Sequence, residues 1–533
     1  MKKVKLLDCT LRDGGYVNDW EFGYDNLNSV FERLVSSNVD IIEVGFLDER
    51  RDFDKNRSIM PNTQCVTEIY GKVKKRNAMV VGMIDYGTCS LGNLQPSSES
   101  YLDGIRVIFK KHIMHEAIAF AKQVKDLGYK VFVQAVSITS YSDEELMELI
   151  GLVNEIHPYA VSMVDTYGLL HQGKLMHYFE LMNEYLLEDI GIGYHSHNNF
   201  QLAYANCIEM LSYPTERMML VDGSLYGMGK SAGNAPIELL AMHLNECYEK
   251  NYDTNQLLEA IDCNIMRIYQ KHPWGYNFFF YIAASNHCHP NYVQFLMDKH
   301  TLSIRSINEI LDHIEDEKKL LYDQKYIEKL YYEYQEYVIN DEQAKKTLAN
   351  LFDGREILIL GPGKTIDTQK SLINSYIREH EPIVIAINFI PKGIDYIEYV
   401  FLSNPRRYIS LSTALQDEGN EKIQVIATSN VTRTNGVFSY TLNNSELLDQ
   451  TAEFIDNSFA MLLKALTDMP VKNIICAGLD GYSKSEQNYA ISDMEYWFAR
   501  RKADDFNGYI RTRLKEMRKR KNIAFLTPTY YED

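Results

Sequence analysis

Through the first half of the chain, short apolar, β-branched runs alternate with polar loops and amphipathic stretches. The runs fall at 4–7, 39–44, 78–84, 104–109, 130–136, 159–164, 190–194 and 218–221. Between them, 24–36, 115–127, 144–156, 175–187 and 201–211 carry apolar residues at helical spacing. Strictly alternating β and α units predict a parallel sheet. Eight of them within about 220 residues predict a closed (β/α)8 barrel over 1–250. The segment 88–101 reads as loop, so the third-to-fourth connection is expected to lack a full helix.

The rhythm changes after residue 250. The stretch 257–269 reads as a helix, and an aromatic run follows from Lys271 to Tyr281. Residues 306–350 are charged and tyrosine-rich with helical periodicity, including 326–337. Residues 251–350 are therefore read as a helical region packed on the barrel. A second α/β unit, 351–533, opens with the buried-strand pattern 356–361 and a helix to about 379. Further strands are expected at 383–388, 399–402, 422–427, 473–477 and 523–526, with a basic helix at 509–521. This pattern is Rossmann-like.

Composition narrows the class. A chain of 533 residues is too long for one core. Its 45% hydrophobic and 24% charged residues are those of a soluble globular protein. A net charge of -18 argues against a nucleic-acid-binding surface. No apolar run approaches the roughly 20 residues that span a bilayer, and Asp8 and Arg12 come too early for a signal peptide. Eight dispersed cysteines without a Cys-x-x-Cys pair fit reduced thiols in a cytoplasm. No nucleic-acid or membrane partner is expected; a homo-oligomer is.

A barrel places its chemistry at the C-terminal ends of its strands. Polar residues recur there: Arg12 and Asp13, Glu43, Asp85, Asp165 and Thr166, His195 and His197, and Asp222 with the loop Gly227-Met-Gly-Lys-Ser-Ala-Gly-Asn234. His195 and His197 are two apart, so in extended backbone they face one side. With Asp13 they make a set of two histidines and one carboxylate that leaves positions open on a divalent metal. Arg12 is placed to hold a carboxylate or enolate oxygen with parallel donors. Glu43 is its expected ion-pair partner, since a buried guanidinium without an acid is costly.

Four motifs carry a family resemblance: Asp-x-Thr-Leu-Arg-Asp-Gly from Asp8, Ile-Glu-Val-Gly-Phe from Ile42, His-x-His-Asn from His195, and Gly-x-Gly-x-x-Ala-Gly-Asn from Gly227. Together, over roughly 1–290, they resemble the DRE-TIM metallolyases, in a pattern nearest the 4-hydroxy-2-oxovalerate aldolases. The resemblance implies a TIM barrel, a divalent metal (Mn2+ or Mg2+), and carbon–carbon bond cleavage or formation through an enolate. It implies Asp13, His195 and His197 as ligands, Asn234 as a further ligand or supporting group, and Arg12 as the enolate clamp. Asp165, Thr166 and Asn198 are expected to meet substrate. The chain departs from the aldolase pattern at Tyr16, where those relatives keep a histidine base. Tyr16 is then either an acid/base with a lowered pKa or a wall of the pocket. Tyr281, His287 and His289, in the aromatic segment, are the other acid/base candidates. The expected substrates are a 2-oxo acid such as pyruvate and an aldehyde. A Claisen-type acyl-CoA reaction is one alternative; a barrel without catalysis, coupled to a nucleotide-sugar-binding C-terminal domain, is another.

In the second unit, Leu358-Ile-Leu-Gly-Pro-Gly-Lys-Thr365 puts a glycine turn between strand and helix. It is either a phosphate-holding turn or a plain connection; the Walker spacing is absent. With Ile387-Asn388, Phe401-Leu-Ser-Asn404 and Arg406-Arg407 it faintly resembles α/β domains of bacterial surface-glycan enzymes that bind nucleotide-linked sugars, which suggests a place in surface-glycan or sugar-acid metabolism.

Overall fold

The computed structural model describes residues 3–532 apart from 300, 301, 337, 418, 434, 435, 437, 450–454 and 496–498. It divides into two compact units, Met1–Pro290 and Asn291–Asp533.

In the first unit the strands are β1 (Val4–Asp8), β2 (Ile41–Leu47), β3 (Ile59–Met60), β4 (Met79–Asp85), β5 (Gly104–Phe109), β6 (Lys130–Val136), β7 (Ala160–Asp165), β8 (Gly191–Ser196) and β9 (Met219–Gly223). They pair in the order β1-β9-β8-β7-β6-β5-β4-β2-β3, and an added β1–β2 pairing closes the barrel. The pairs are parallel; Leu7 faces Ile41 on one side and Asp222 on the other. All eight expected runs are barrel strands. The addition is the two-residue β3, beside the end of β2 where Phe46 meets Ile59. Gly45 makes this approach possible: its φ is +148°, and a Cβ there would stand 2.0 Å from the Ser58 carbonyl oxygen.

Helices at Tyr24–Ser36, Thr63–Tyr70, Met114–Asp126, Asp143–Ile156, Gln172–Tyr185, Ala203–Ser212 and Ile237–Cys247 coat the barrel. Asp143–Ile156 shows why they form where they do. Ser142 accepts from the Glu145 N–H while Glu145 accepts from Ser142, closing a capping box worth about 1 kcal/mol. Leu146, Leu149, Ile150 and Val153 then bury one stripe. The β4–β5 connection holds only the short turns Leu91–Asn93 and Ser97–Glu99, as its composition predicts.

The barrel interior is layered by the two-residue period of a strand. Leu7, Ile41, Val81, Phe132, Ala160 and Leu220 form an apolar floor. Two residues further along, the same faces carry Glu43, Gln134, Ser162 and Asp222, all buried, with Arg106 beside them from β5. The polar layer rests directly on the floor, toward the C-terminal ends of the strands.

The helices of residues 251–350 fall on both sides of the division at Pro290. The expected helix at 257–269 is one continuous run, Thr254–Ala260, Ile261–Ile265 and Met266–Tyr269, with a π-helical middle. The expected helix at 326–337 is Gln324–Gln335; Tyr337 lies outside the described residues.

The second unit is a seven-stranded parallel sheet of β10 (Glu356–Leu360), β11 (Ile383–Ile387), β12 (Tyr399–Leu402), β13 (Gln424–Thr428), β14 (Tyr440–Leu442), β15 (Asn473–Ala477) and β16 (Ile523–Phe525). Its order is β14-β13-β12-β11-β10-β15-β16. The chain winds outward from β10 to β14, then returns to β15 on β10's other side, which makes the C-terminal ends of β10 and β15 the topological switch point. Alternate residues feed two cores, Ile357 and Ile359 one, Leu358 and Leu360 the other. The basic helix runs Ala503–Met517, earlier than its expected bounds.

Candidate metal centre and active site

β1 runs into a tight turn in which the Arg12 and Asp13 N–H groups both donate to Cys9 O. This lifts two charged side chains to the barrel mouth. β8 brings up His195, and His197 follows it. Asp13, His195 and His197 are buried, and one ligand atom from each lies within 4.8 Å of the others. The two imidazoles stand 5.2 Å apart, almost perpendicular.

Each candidate ligand is held by a second group. His195 Nδ1 is 3.0 Å from Asp222 Oδ2, which leaves Nε2 toward Asp13 Oδ1 at 3.9 Å. His197 Nδ1 is 3.3 Å from Gly233 O. Such partners fix tautomer and ring orientation in metal sites. Asp13 Oδ1 accepts from Arg12 at 2.5 Å, and Oδ2 from Asn234 Nδ2 at 2.9 Å and the Lys230 N–H at 3.2 Å. Burial works to raise the Asp13 pKa, but Arg12, His197 and His195 outweigh it and hold the carboxylate below its usual range. Burial moves His197 the other way, down to about 4. The set at neutral pH is thus an anion with a neutral imidazole beside it, the form a divalent ion requires. Asn234 Oδ1 is buried without a hydrogen-bond partner among the described residues. A fourth donor, an oxygen, beside this set fits a metal better than a sealed polar core does.

Behind the ligands lies a chain of charges. Arg12 Nε donates to Glu43 Oε2 at 2.7 Å, and the same oxygen accepts from Arg106 at 2.9 Å. Arg106 also donates to Gln134 at 2.8 Å and to Asp222. Asp222 holds His195, so the chain Asp13–Arg12–Glu43–Arg106–Asp222–His195 begins and ends on a candidate ligand. Sequence reading paired Arg12 with Glu43 but missed Arg106 and Gln134. The available signal was a lone arginine inside the apolar run of β5.

The remaining sequence candidates are distributed as follows. Tyr16 packs against Trp20 and Phe46, with ring centres 4.8 and 6.1 Å away, and is 44% exposed at the mouth. Loss of solvation pushes its hydroxyl up to about 12, so it is protonated at neutral pH. Gly15 makes room for Trp20, since a Cβ there would stand 1.9 Å from the indole. Asp165 accepts from the Leu169 and Leu170 N–H groups at 2.8 and 3.0 Å and so shapes the loop after β7. Burial raises it to about 6 against those donors. Thr166 Oγ1 accepts from the Ser137 N–H, and Asn198 Oδ1 from the Ala203 N–H, each tying one mouth loop. Tyr281 is 43% exposed, 6.3 Å from the Phe200 ring. His287 is exposed with a left-handed φ of 52°. Among the described residues no hydrogen bond joins Tyr281 or His287 to the Asp13–His195–His197 set. His289 stands 6.4 Å from Tyr167 and is pushed down to about 4, mainly by burial.

The second unit holds its own cavity, of about 660 Å³, at the switch point. Pro362 and Gly363 after β10, and Gly478 to Tyr482 after β15, form its base. Tyr331, Tyr482 and Phe506 are among its walls, and Lys299, Arg407 and Lys502 its cations. The Tyr482 and Phe506 rings stack at 4.8 Å. In the glycine turn, read as either a phosphate-holding turn or a plain connection, the Gly361 and Gly363 amides are spent on Ala477 O and Gly478 O at 2.8 and 2.7 Å. Arg406 donates to Leu302 O instead of lining the cavity.

Comparison with known proteins bears on the first unit. Residues 3–263 match the HMGL-like family model. The 2-isopropylmalate synthase of Saccharolobus solfataricus is 26% identical over 262 residues, 49% of this chain and 67% of that one. The oxaloacetate decarboxylase of Mycobacterium tuberculosis is 23% identical over 283 residues, 52% and 82% of the two chains. The 4-hydroxy-2-oxovalerate aldolase of Shewanella halifaxensis is 26% identical over 243 residues, 45% and 69%. These matches take in about half of this chain, the half that carries two histidines and a carboxylate at the mouth of a closed barrel. Residues 3–263 of this chain are an HMGL-like domain of the DRE-TIM metallolyase group.

Proposed function

We propose that the N-terminal unit is a divalent-metal-dependent carbon–carbon lyase of the aldolase type. It acts through the enolate of pyruvate or a similar 2-oxo acid, with an aldehyde as the second substrate. The observation that carries this reading is the buried Asp13–His195–His197 set with Arg12 hydrogen-bonded beside it. An Mn2+ or Mg2+ ion held by these three, with Asn234 next to them, supplies Lewis-acid polarisation of the 2-oxo acid. The chain's residues do the rest. Arg12, fixed on two acids, presents its remaining donors to the oxygen on which enolate charge develops. Asp222 and Gly233 keep the two imidazoles aimed. Tyr16, protonated, forms the wall of the mouth and serves as a hydrogen-bond donor.

The test is exchange of the pyruvate methyl protons for solvent deuterium by the full chain. Metal-loaded protein is expected to exchange them, chelator-treated protein not, and added Mn2+ to restore the rate. Undiminished exchange without metal sinks the proposal. The synthases among the relatives favour a second reading, a Claisen-type reaction of an acyl-CoA. Exchange into acetyl-CoA but not pyruvate would establish it.

For the second unit we propose a nucleotide or nucleotide-linked sugar as ligand. Its cavity sits where open parallel sheets take ligands, is of small-molecule size, and offers aromatic faces to a base. Lys299, 4.8 Å from the Tyr331 ring, and Lys502 supply charge for phosphate. Melting of the full chain with CMP, UDP, ADP and a sugar nucleotide should show a rise of about 2 °C or more with one of them. No rise with any of the panel counts against a nucleotide.

A further inference from the structure

Among the described residues, the two buried arginines of the barrel mouth are both matched. Arg12 is held by Glu43 and Asp13, and Arg106 by Glu43 and Asp222. Lys230, in the loop after β9, is partly buried and differs from them. Its backbone N–H is tied to Asp13, and its ammonium stands 5.5 Å from the centre of the Tyr16 ring. Among the described residues the ammonium has neither a hydrogen-bond acceptor nor an ion pair. A desolvated charge without a counter-ion is expensive, and a site keeps one where a ligand brings the opposite charge.

Depth says which ligand. Arg12 is 3% exposed and lies on the inner side of the aromatic wall, 5.7 Å from the Phe46 ring centre. Lys230 stands over Tyr16, which is 44% exposed. A 2-oxo acid at the inner position engages Arg12 and leaves Lys230 at the entrance. Lys110, exposed after β5, adds a second positive group there, and Asp85, exposed at the end of β4, moderates the field.

We propose that Lys230 recognises an anionic group, a carboxylate or a phosphate, on the aldehyde substrate, so that the acceptor is an anionic aldehyde. This rests on the aldolase reading above. Lys230 binds and orients the acceptor, with the Tyr16 ring as the floor beneath its ammonium.

The experiment compares the wild-type full chain, Lys230→Met and Lys230→Arg, all metal-loaded. Aldol rates with pyruvate are measured for propionaldehyde, succinic semialdehyde and glyceraldehyde 3-phosphate. The last two separate carboxylate from phosphate. The wild type is expected to prefer one anionic aldehyde. Lys230→Met should cut the anionic-to-neutral ratio of kcat/KM by about 30- to 100-fold, the worth of a hydrogen bond to a charged group, and Lys230→Arg should restore part of it. Melting with succinate and glycerol 3-phosphate gives a readout apart from turnover: one of them should stabilise the wild type and not Lys230→Met. Equal use of neutral and anionic aldehydes, an unchanged ratio in Lys230→Met, or stabilisation by neither anion overturns the proposal. So does borohydride trapping of pyruvate on Lys230, which would make the amine a nucleophile. Absence of pyruvate proton exchange in the wild type sinks the aldolase reading instead, and the melting comparison still decides whether Lys230 binds an anion.

Discussion

Asp13→Asn is expected to strip the protein of tightly held metal and to slow pyruvate proton exchange by about a thousand-fold, the several kcal/mol a metal ion supplies to a developing charge. The replacement is nearly isosteric. An asparagine oxygen at this place still accepts from Asn234 and from the Lys230 N–H, so the loop after β9 keeps its anchor. What goes is the negative charge that His195 and His197 surround, and the partner of one Arg12 donor. Arg12 retains Glu43 at 2.7 Å, so the fold should survive. Metal content of dialysed protein, exchange rate and melting temperature are measured together. Stoichiometric metal and full exchange in a folded variant would remove Asp13 from the site.

Arg106→Met should give the largest loss of stability, about 3–5 kcal/mol, because it removes the central cation from a buried ionic chain and leaves its acids partly unmatched. Arg106 is 0% exposed and joins Glu43, Gln134 and Asp222. Urea unfolding followed by fluorescence measures the loss; a change under about 1 kcal/mol would mean the chain is not held by this residue. Should the variant fail to fold, Asp222→Asn carries the same question. It keeps an acceptor for His195 Nδ1 but drops the charge, and metal affinity is expected to fall about 10- to 100-fold. Unaltered affinity would separate the charge chain from the candidate ligands.

The strands were legible because a parallel barrel strand is buried on both faces, so each reads as an unbroken β-branched run. The capped helix Asp143–Ile156 was legible because a helix start has local chemistry. Tyr440–Leu442 was not, being a three-residue edge strand too short to show a period. Arg106 stood out only as a lone arginine inside the apolar run Gly104–Phe109; its inward direction and its partners exist only once the barrel has closed.

Local order along the chain determined the eight βα units, the strand-end positions of Arg12, Asp13, His195 and His197, and the family to which residues 3–263 belong. These are properties of neighbours in sequence, set by periodicity and by residue type at an element's end. Only the tertiary structure decided that Glu43, Arg106 and Asp222 link Arg12 to His195, that Asn234 holds a bare oxygen beside Asp13, and that the Lys230 ammonium has no hydrogen-bond acceptor or ion pair among the described residues. Those facts depend on which strands become neighbours and how far each is staggered, and residues from β1, β2, β5, β8 and β9 meet only when the sheet closes on itself.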